Sequence, residues 1–233
     1  RIRMEEKKYT FTKKELNAEK SKAIGRFASI ASHDLKNVLG SLLNMSYYFT
    51  KVLKVEGEMP NKMLGLLSSE IKKLNTTVTE LLDMTRVKQL TKESCDLFDI
   101  VAKSIENSKA EGIDFKTDLI HVKIHADVLR MTQVFSNIIK NAKDAMQNKG
   151  KISVKMFLNE NFADVVITDE GIGMDEETLE NCFDPLFTTK ATKAVGMGLT
   201  VSLQIIEMHG GKIRIETEKG NGCSVYITLP VVK

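Results

Sequence analysis

The sequence has no apolar run that approaches the ~20 residues needed to span a bilayer, and no signal peptide at its amino end. We therefore expect a chain without a membrane span, located in the cytoplasm. The chain begins at Arg1 without an initiator Met. We expect it to be the end of a longer protein, in which a sensor or membrane segment could come first.

Cysteine is scarce and the charge is nearly balanced. Cys95, Cys182 and Cys223 lie far apart without paired spacing, which excludes a disulfide framework and a cysteine zinc site and fits a reducing compartment. The net charge of +3 comes with no arginine-rich stripe interleaved with aromatics, so nucleic acid is not an expected partner. With 233 residues, of which 42% are hydrophobic, the chain can bury a core in one or two domains.

The period of the hydrophobic residues changes near residues 91–96, and this change predicts a domain boundary. Before it, apolar residues recur every three or four positions, as they do on helices. The first stripe contains Ile24, Phe27, Ala31, Leu35, Val38, Leu42 and Met45, and the second contains Met63, Leu67, Ile71, Leu74, Val78 and Leu81. A helical hairpin cannot bury both stripes alone. Residues 1–95 are therefore predicted to form a helical lead-in and a hairpin that pairs into a homodimeric four-helix bundle.

Residues 96–233 alternate between strand-like and helical patterns. Helical stretches at about 99–109, 126–148 and 199–209 separate five runs of alternating polarity, which are HVKIH, KISVKMF, ADVVITD, GKIRIET and CSVYITL. The predicted fold class is α+β, with the helical bundle followed by a C-terminal α/β sandwich whose mixed sheet packs on helices. Gly210 and Gly211 predict a left-handed cap after the last helix. His121 and His125 lie ~13 Å apart if HVKIH is a strand, so no metal site is expected there.

The segment ASHDLKNVLG, residues 31–40, places His33 on the polar side of the first helix. Asn37 lies one helical turn further on and Gly40 shares the same face, whereas the apolar stripe lies on the other side. A core histidine would lie on the stripe, and a metal ligand would have a second ligand one turn away. A free imidazole is largely neutral and nucleophilic at pH 7, and Asp34 could hold one ring N–H. His33 is therefore a candidate phosphoryl acceptor.

Two later segments predict a nucleotide site. In QVFSNIIKNAKDAM, residues 133–146, Asn137 and Asn141 share the polar face of a helix, and their amide oxygens can serve Mg²⁺ and phosphate-bound water. DEGIGM, residues 169–174, follows a strand. Asp169 there can accept a hydrogen bond from the adenine amino group, which guanine lacks at that position.

Glycines make up the rest of this predicted site. Gly171 and Gly173 in DEGIGM would let the backbone approach the base. In GMGLTVS, residues 196–202, Gly196 and Gly198 open a helix and would point backbone N–H groups at phosphate oxygens. The order and spacing of the three segments are more specific than any one of them.

Taken together, these segments resemble the sensor histidine kinases of two-component signalling over roughly residues 25–229. SHDLKN resembles the phospho-acceptor box, NIIKNAKDAM the N box, DEGIGM the first glycine box, FDPLFTTK the F box and GMGL the second glycine box. The resemblance implies a dimerisation and phosphotransfer hairpin followed by an ATP-binding domain of the gyrase and chaperone type. It also implies that His33 takes the γ-phosphoryl group of ATP and passes it to an aspartate of a response regulator receiver domain.

The resemblance assigns further roles by position. Asn141 would ligate Mg²⁺, Asn137 would assist at the phosphates and Asp169 would bind adenine. The other pocket residues would be Gly171, Gly173, Gly196 and Gly198. Residues from Phe187 to Met197 would form a mobile ATP lid, in which Lys190 could meet phosphates. In this family the residue four after the histidine is associated with dephosphorylation of the regulator, so Asn37 predicts a kinase that is also a phosphatase.

Other functions can be compared with this prediction. An ATPase of the gyrase or chaperone kind would activate water with a carboxylate. By resemblance, Asn137 occupies the corresponding position of this chain, and an amide cannot act as a general base. An inactive dimeric scaffold would not need His33, Asn141 or Asp169. The sequence contains neither a Walker GxxxxGK[ST] nor the V-A-I-K and H-R-D elements of serine or threonine kinases.

Overall fold

A computed structural model describes residues 39–49, 59–71, 74, 90–189 and 196–232. The chain divides into two compact units, Arg1–Arg86 and Val87–Lys233. This division lies earlier than the boundary predicted between residues 95 and 96, because strand β1 (Glu93–Asp96) pairs with strand β3 (Lys123–Ala126) inside the second unit. None of the described helices is long and apolar enough to cross a membrane.

The described residues of the first unit form two helical segments, α1 at 39–49 and α2 at 59–71. Leu39 and Ile71 are buried in one small apolar cluster. The buried hydroxyl of Ser46 lies 2.6 Å from that of Ser68. Other members of the predicted stripes are exposed on the single chain, namely Leu42, Met45, Met63, Leu67 and Leu74.

The described part of the second unit contains seven strands and four helices. In chain order these are β1 (Glu93–Asp96), α3 (Leu97–Ser108), β2 (Ile113–Asp118), β3 (Lys123–Ala126), α4 (Val128–Ala145), β4 (Gly150–Asn159), β5 (Phe162–Asp169), α5 (Glu176–Asn181), α6 (Gly198–Met208), β6 (Lys212–Thr217) and β7 (Cys223–Pro230). The three predicted helices and the five predicted strands are confirmed. The predictions do not include β1, β2 and α5, because exposure does not alternate along the whole of β1 or β2, and α5 buries no residue.

The second unit has a two-stranded sheet of β1 and β3 and a five-stranded sheet of order β2-β4-β5-β7-β6, in which β2 runs parallel to β4 and the other neighbours are antiparallel. Side chains alternate along β5, so that Ala163, Val165 and Ile167 are buried on one face. Helices α4 and α6 pack on the sheet, and α3 packs on α4. This confirms the predicted sandwich, and each large apolar side chain buried in it contributes about 1.5–3 kcal/mol.

The ends of α4 and α6 have well-defined caps. At the start of α4 the Asp127 carboxylate accepts a hydrogen bond from the Arg130 backbone N–H at 3.1 Å. At the end of α6 the Gly210 N–H donates to the Glu207 carbonyl and the Gly211 N–H to the Ile206 carbonyl, both at 3.0 Å. Gly210 has φ +76°, so the predicted left-handed cap is confirmed as a Schellman motif.

The two histidines of the HVKIH run have separate surroundings. His121 precedes β3, where its Nδ1 lies 3.2 Å from Asp96 Oδ2 and its ring stacks on Phe98 with the centroids 4.1 Å apart. His125 lies in β3 opposite Ser94. The strand prediction for this run is confirmed at residues 123–125.

Candidate functional site

A pocket of the second unit is lined by α4, the end of β5, the loop after it, the start of α6 and the strands β6 and β7. Its lining residues are Ile138, Asn141, Ala142, Ala145, Ile167, Asp169, Gly173, Met174, Leu199, Ile215, Cys223 and Val225. The empty space of this pocket, including the part that is open to solvent, is about 450 Å³. Apolar walls surround the polar side chains of Asn141 and Asp169, an arrangement that suits a flat ring with a few polar edge atoms.

Asp169 is the last residue of β5 and is only 6% exposed. Its Oδ1 accepts a hydrogen bond from the Gly171 N–H at 2.8 Å, which holds the orientation of the carboxyl group. Burial raises the pKa of this carboxyl, and hydrogen bonds from the backbone N–H groups of Gly171 and Cys223 act in the opposite direction. A desolvated carboxylate in an apolar pocket binds a hydrogen-bond donor more strongly than it would in water.

The loop after β5 comes close to α4 on one side and to the β6–β7 turn on the other. A Cβ at Gly171 would lie 2.7 Å from Ala145 Cβ, and the Ile172 N–H donates to the Ala145 carbonyl at 3.3 Å. Gly173 has φ +63°, and a Cβ there would lie 2.0 Å from the Glu218 carbonyl oxygen. Both predicted glycines are therefore required for this loop to pack as it does.

The turn between β6 and β7 packs against the end of β5 and the loop that follows it. Gly222 has φ +76°, and a Cβ there would lie 2.0 Å from the backbone oxygen of Asp169. The Gly220 N–H donates to the Ile172 carbonyl at 2.8 Å. This turn is not among the site residues predicted from the sequence. Its glycines between two alternating runs indicate a hairpin, but nothing in the pattern indicates that the hairpin packs on Asp169.

Asn137 and Gly198 connect α4 with the beginning of α6. The Asn137 Nδ2 donates to the Gly198 carbonyl at 3.4 Å, and a Cβ at Gly198 would be in ordinary contact with the Asn137 side chain at 3.7 Å. Met197 precedes α6 without a side-chain cap on its first N–H groups. The amide of Asn137, one turn before the pocket residue Asn141, therefore lies beside the helix N-terminus, as the predicted phosphate end of a nucleotide site requires.

Gly196 lies near the end of the predicted lid segment. It has φ +74°, and a Cβ there would lie 2.3 Å from the Phe187 carbonyl oxygen. Phe187, the first residue of the predicted lid, and Gly196, the residue before its last, are thus in direct contact. On the nearby α6, the Thr200 hydroxyl donates to the Phe183 carbonyl at 3.0 Å.

Cys223 lines the pocket, and Cys182 is a second buried free cysteine. Burial is the main cause that raises the pKa of Cys223 to about 12 and that of Cys182 to about 11. The Asp169 carboxylate raises the pKa of Cys223 further. Both thiols are therefore neutral near pH 7 and pack as small apolar groups.

The structure brings Asn141, Asp169 and Gly173 together in one pocket, and the Gly171 N–H bonds the Asp169 carboxylate. Asn137 and Gly198 bond each other, and Gly196 is against Phe187; these three residues do not line the pocket. Four other predicted site residues lie outside the described residues, namely His33, Asp34, Asn37 and Lys190. Their assigned roles stay predictions.

Residues 126–233 match the family described as histidine kinase-, DNA gyrase B- and HSP90-like ATPase. The sensor histidine kinase ZraS of Salmonella typhimurium is 34% identical over 223 residues, which cover 92% of this chain and 47% of that protein. The chain thus spans about half the length of this curated relative.

Solved structures extend this likeness to the fold. The catalytic domain of histidine kinase ThkA matches with a TM-score of 0.54 and 30% identity, over 61% of this chain and 97% of that one. Histidine kinase ThkA in complex with the response regulator protein TrrA matches with a TM-score of 0.65 and 26% identity, over 96% of this chain and 66% of that one.

Proposed function

The chain belongs to the sensor histidine kinases and carries their gyrase- and HSP90-like ATPase domain, and from this membership we propose that it phosphorylates its own His33 with ATP and passes the phosphoryl group to a response regulator. One observation carries the proposal. Asn141 and Asp169, predicted from separate motifs, line a single pocket within the matched domain.

Adenine recognition is the role that we propose for Asp169. The 6-amino group of adenine donates a hydrogen bond, whereas guanine presents a carbonyl oxygen at the same position. A buried carboxylate held by the Gly171 N–H accepts from the former and repels the latter. The apolar wall, which includes Ile138 and Val225, would cover the faces of the base.

We place the triphosphate toward the start of α6. The N–H groups of the first turn of this helix favour anionic oxygens, and Gly196 and Gly198 would let phosphates approach the backbone. Lys190 would add a positive charge from the lid. Asn137 would keep α4 and α6 together at this end of the pocket, through its hydrogen bond to the Gly198 carbonyl.

Mg²⁺ fits the donor chemistry of this pocket. The side chain of Asn141 supplies a neutral amide oxygen at the pocket wall, which would ligate the ion without adding negative charge beside a triphosphate. When bound, the ion would neutralise charge on the phosphates.

In the proposed transfer, an imidazole nitrogen of His33 attacks the γ-phosphorus of ATP. The N–P bond forms while the bond to the β–γ bridging oxygen breaks, and ADP leaves with that electron pair. Asp34 would hold the other ring N–H. The carboxylate of a receiver aspartate then attacks the phosphorus, which restores the imidazole and gives an acyl phosphate. The amide at Asn137 cannot take a proton from water, which favours His33 over hydrolysis.

A homodimer would complete the first unit. The exposed apolar side chains of α1 and α2 include Met45, Met63 and Leu67, which are 59%, 67% and 44% exposed on the single chain. A second hairpin would cover such residues in a four-helix bundle. The response regulator partner is supported by the related kinase whose solved structure contains one.

Incubation of the purified chain with γ-labelled ATP and Mg²⁺ tests the proposal. We expect label on the protein that is lost in acid and kept in base, as for phosphohistidine, and a His33→Gln chain that stays unlabelled. Transfer to a purified receiver domain would then move the label to an acid-stable, base-labile form. Equal labelling of His33→Gln would contradict the assignment of the acceptor.

A further inference from the structure

Thr217, the last residue of β6, does not line the pocket but links two of its walls. Its Oγ1 accepts a hydrogen bond from the Met174 N–H at 3.0 Å and donates one to the Gly222 carbonyl at 2.7 Å. A hydroxyl has one hydrogen and the carbonyl can only accept, so the direction of both bonds is determined. One side chain thus connects the loop after β5 to the β6–β7 turn.

Each of these partners is next to the base-recognition residues. Met174 lines the pocket beside Gly173, the glycine whose absent Cβ faces the Glu218 carbonyl. Gly222 is in contact with the Asp169 backbone, because a Cβ there would lie 2.0 Å from the Asp169 oxygen. A shift of the turn would therefore move the end of β5. A shift of the loop would move Gly173, which forms the glycine wall of the pocket.

We propose that Thr217 is a positioning residue for base recognition. By holding the loop and the turn together, its hydroxyl sets the distance between the Asp169 carboxylate and the glycine wall, and so determines how strongly the pocket prefers adenine to a purine without the 6-amino group. This inference rests on the proposed ATP-binding function. The backbone also joins the loop to the turn, through the Gly220 N–H and the Ile172 carbonyl, and Thr217 supplies the side-chain link.

Three variants of the full chain separate this role from a structural one. Thr217→Val keeps the shape and removes the hydroxyl, and Thr217→Ser keeps the hydroxyl. Thr228→Val is the matched control, because Thr228 in β7 donates to Asp164, on the face of the sheet away from the buried core. The dissociation constants of ATP and of inosine triphosphate, which has a carbonyl in place of the amino group, are measured for each.

We expect Thr217→Val to weaken ATP binding about tenfold, because a displaced Asp169 carboxylate would make a poorer hydrogen bond to the adenine amino group, and to change inosine triphosphate binding little. The preference for ATP would shrink accordingly. Thr217→Ser should restore it, and Thr228→Val should bind both nucleotides as the parent does.

Different failures identify different errors. If Thr217→Val weakened the binding of both nucleotides equally, or lowered only the thermal midpoint of unfolding, the positioning role would be overturned. The proposed ATP site would not be affected by that result. The same holds if Thr217→Ser behaved like Thr217→Val. A parent chain that binds no ATP, or does not prefer it to inosine triphosphate, would overturn the adenine site and this inference with it.

Discussion

The imidazole Nε2 of His209, which follows α6, accepts a hydrogen bond from the backbone N–H of Asp127, the N-cap of α4, at 3.0 Å. Its Nδ1 lies 2.7 Å from the Ile205 carbonyl, to which it donates, so the ring is neutral in the folded state. The ring is buried, and it links the helix that begins at the predicted phosphate end to the helix that carries Asn141.

This link predicts a loss of stability in weak acid. Burial is the main cause that lowers the pKa of His209 below its ordinary value of 6.5, with the Lys92 charge acting in the same direction, although the Ile205 carbonyl and the Asp127 charge oppose it. The unfolded chain therefore binds the proton first. The contribution of His209 to the free energy of unfolding should be constant above about pH 6.5 and fall as the pH drops toward the folded-state pKa.

Urea unfolding of the full chain at pH 7.5 and 5.5 measures this effect. His209→Gln keeps an acceptor for the Asp127 N–H but does not titrate, so its stability should depend less on pH. It should also be less stable at pH 7.5, because it loses the buried ring. A parent and a His209→Gln chain with equal slopes would remove His209 as the cause.

Asp169→Asn should weaken ATP binding about 10- to 100-fold, because it replaces a charged hydrogen-bond acceptor with a neutral amide. The variant should not lose thermal stability, since burial raises the pKa of Asp169 and the fold is relieved of a desolvated charge. Glu170→Gln, an exposed neighbour, is the control. Calorimetric titration that finds equal affinity in Asp169→Asn and the parent would contradict the adenine role.

Gly222→Ala and Gly220→Ala form a matched pair in one turn. Both have positive φ, +76° and +88°, and a left-handed alanine costs about 1–2 kcal/mol in each. Only the Cβ at Gly222 meets another atom, the Asp169 oxygen at 2.0 Å, while the Cβ at Gly220 meets open space. We expect Gly222→Ala to be clearly less stable in urea and also to lose ATP affinity. Equal losses in both would mean that the contact with Asp169 has no energetic effect.

Asn37→Ala should remove phosphate from the phosphorylated regulator at least about tenfold more slowly than the parent, because an oriented water is lost. Asn44→Ala, an exposed amide two turns further along the same predicted helix, should act as the parent does. Release of label from a purified phosphorylated receiver is the measurement. An Asn37→Ala chain as fast as the parent would rule out this role.

Much of the second unit could be predicted from local patterns. Strand alternation and helical spacing located β3 to β7 and α3, α4 and α6 correctly, because exposure alternates along most of each of these strands and each of these helices buries one face. The left-handed Gly210 was predictable too, because the cap is a local structure. The paired amides Asn137 and Asn141 were found by their spacing on one helix.

The sequence by itself determined which residues are available for nucleotide chemistry, because backbone turns and helix faces constrain residues that are close together in the chain. Only the tertiary structure decided that Gly222, held by Thr217, contacts the Asp169 backbone. The same is true of the hydrogen bond between His209 and the N-cap of α4. Those contacts join residues from 5 to 82 positions apart. Their partners are chosen by how the sheet and helices pack, and packing leaves no period in a single segment of chain.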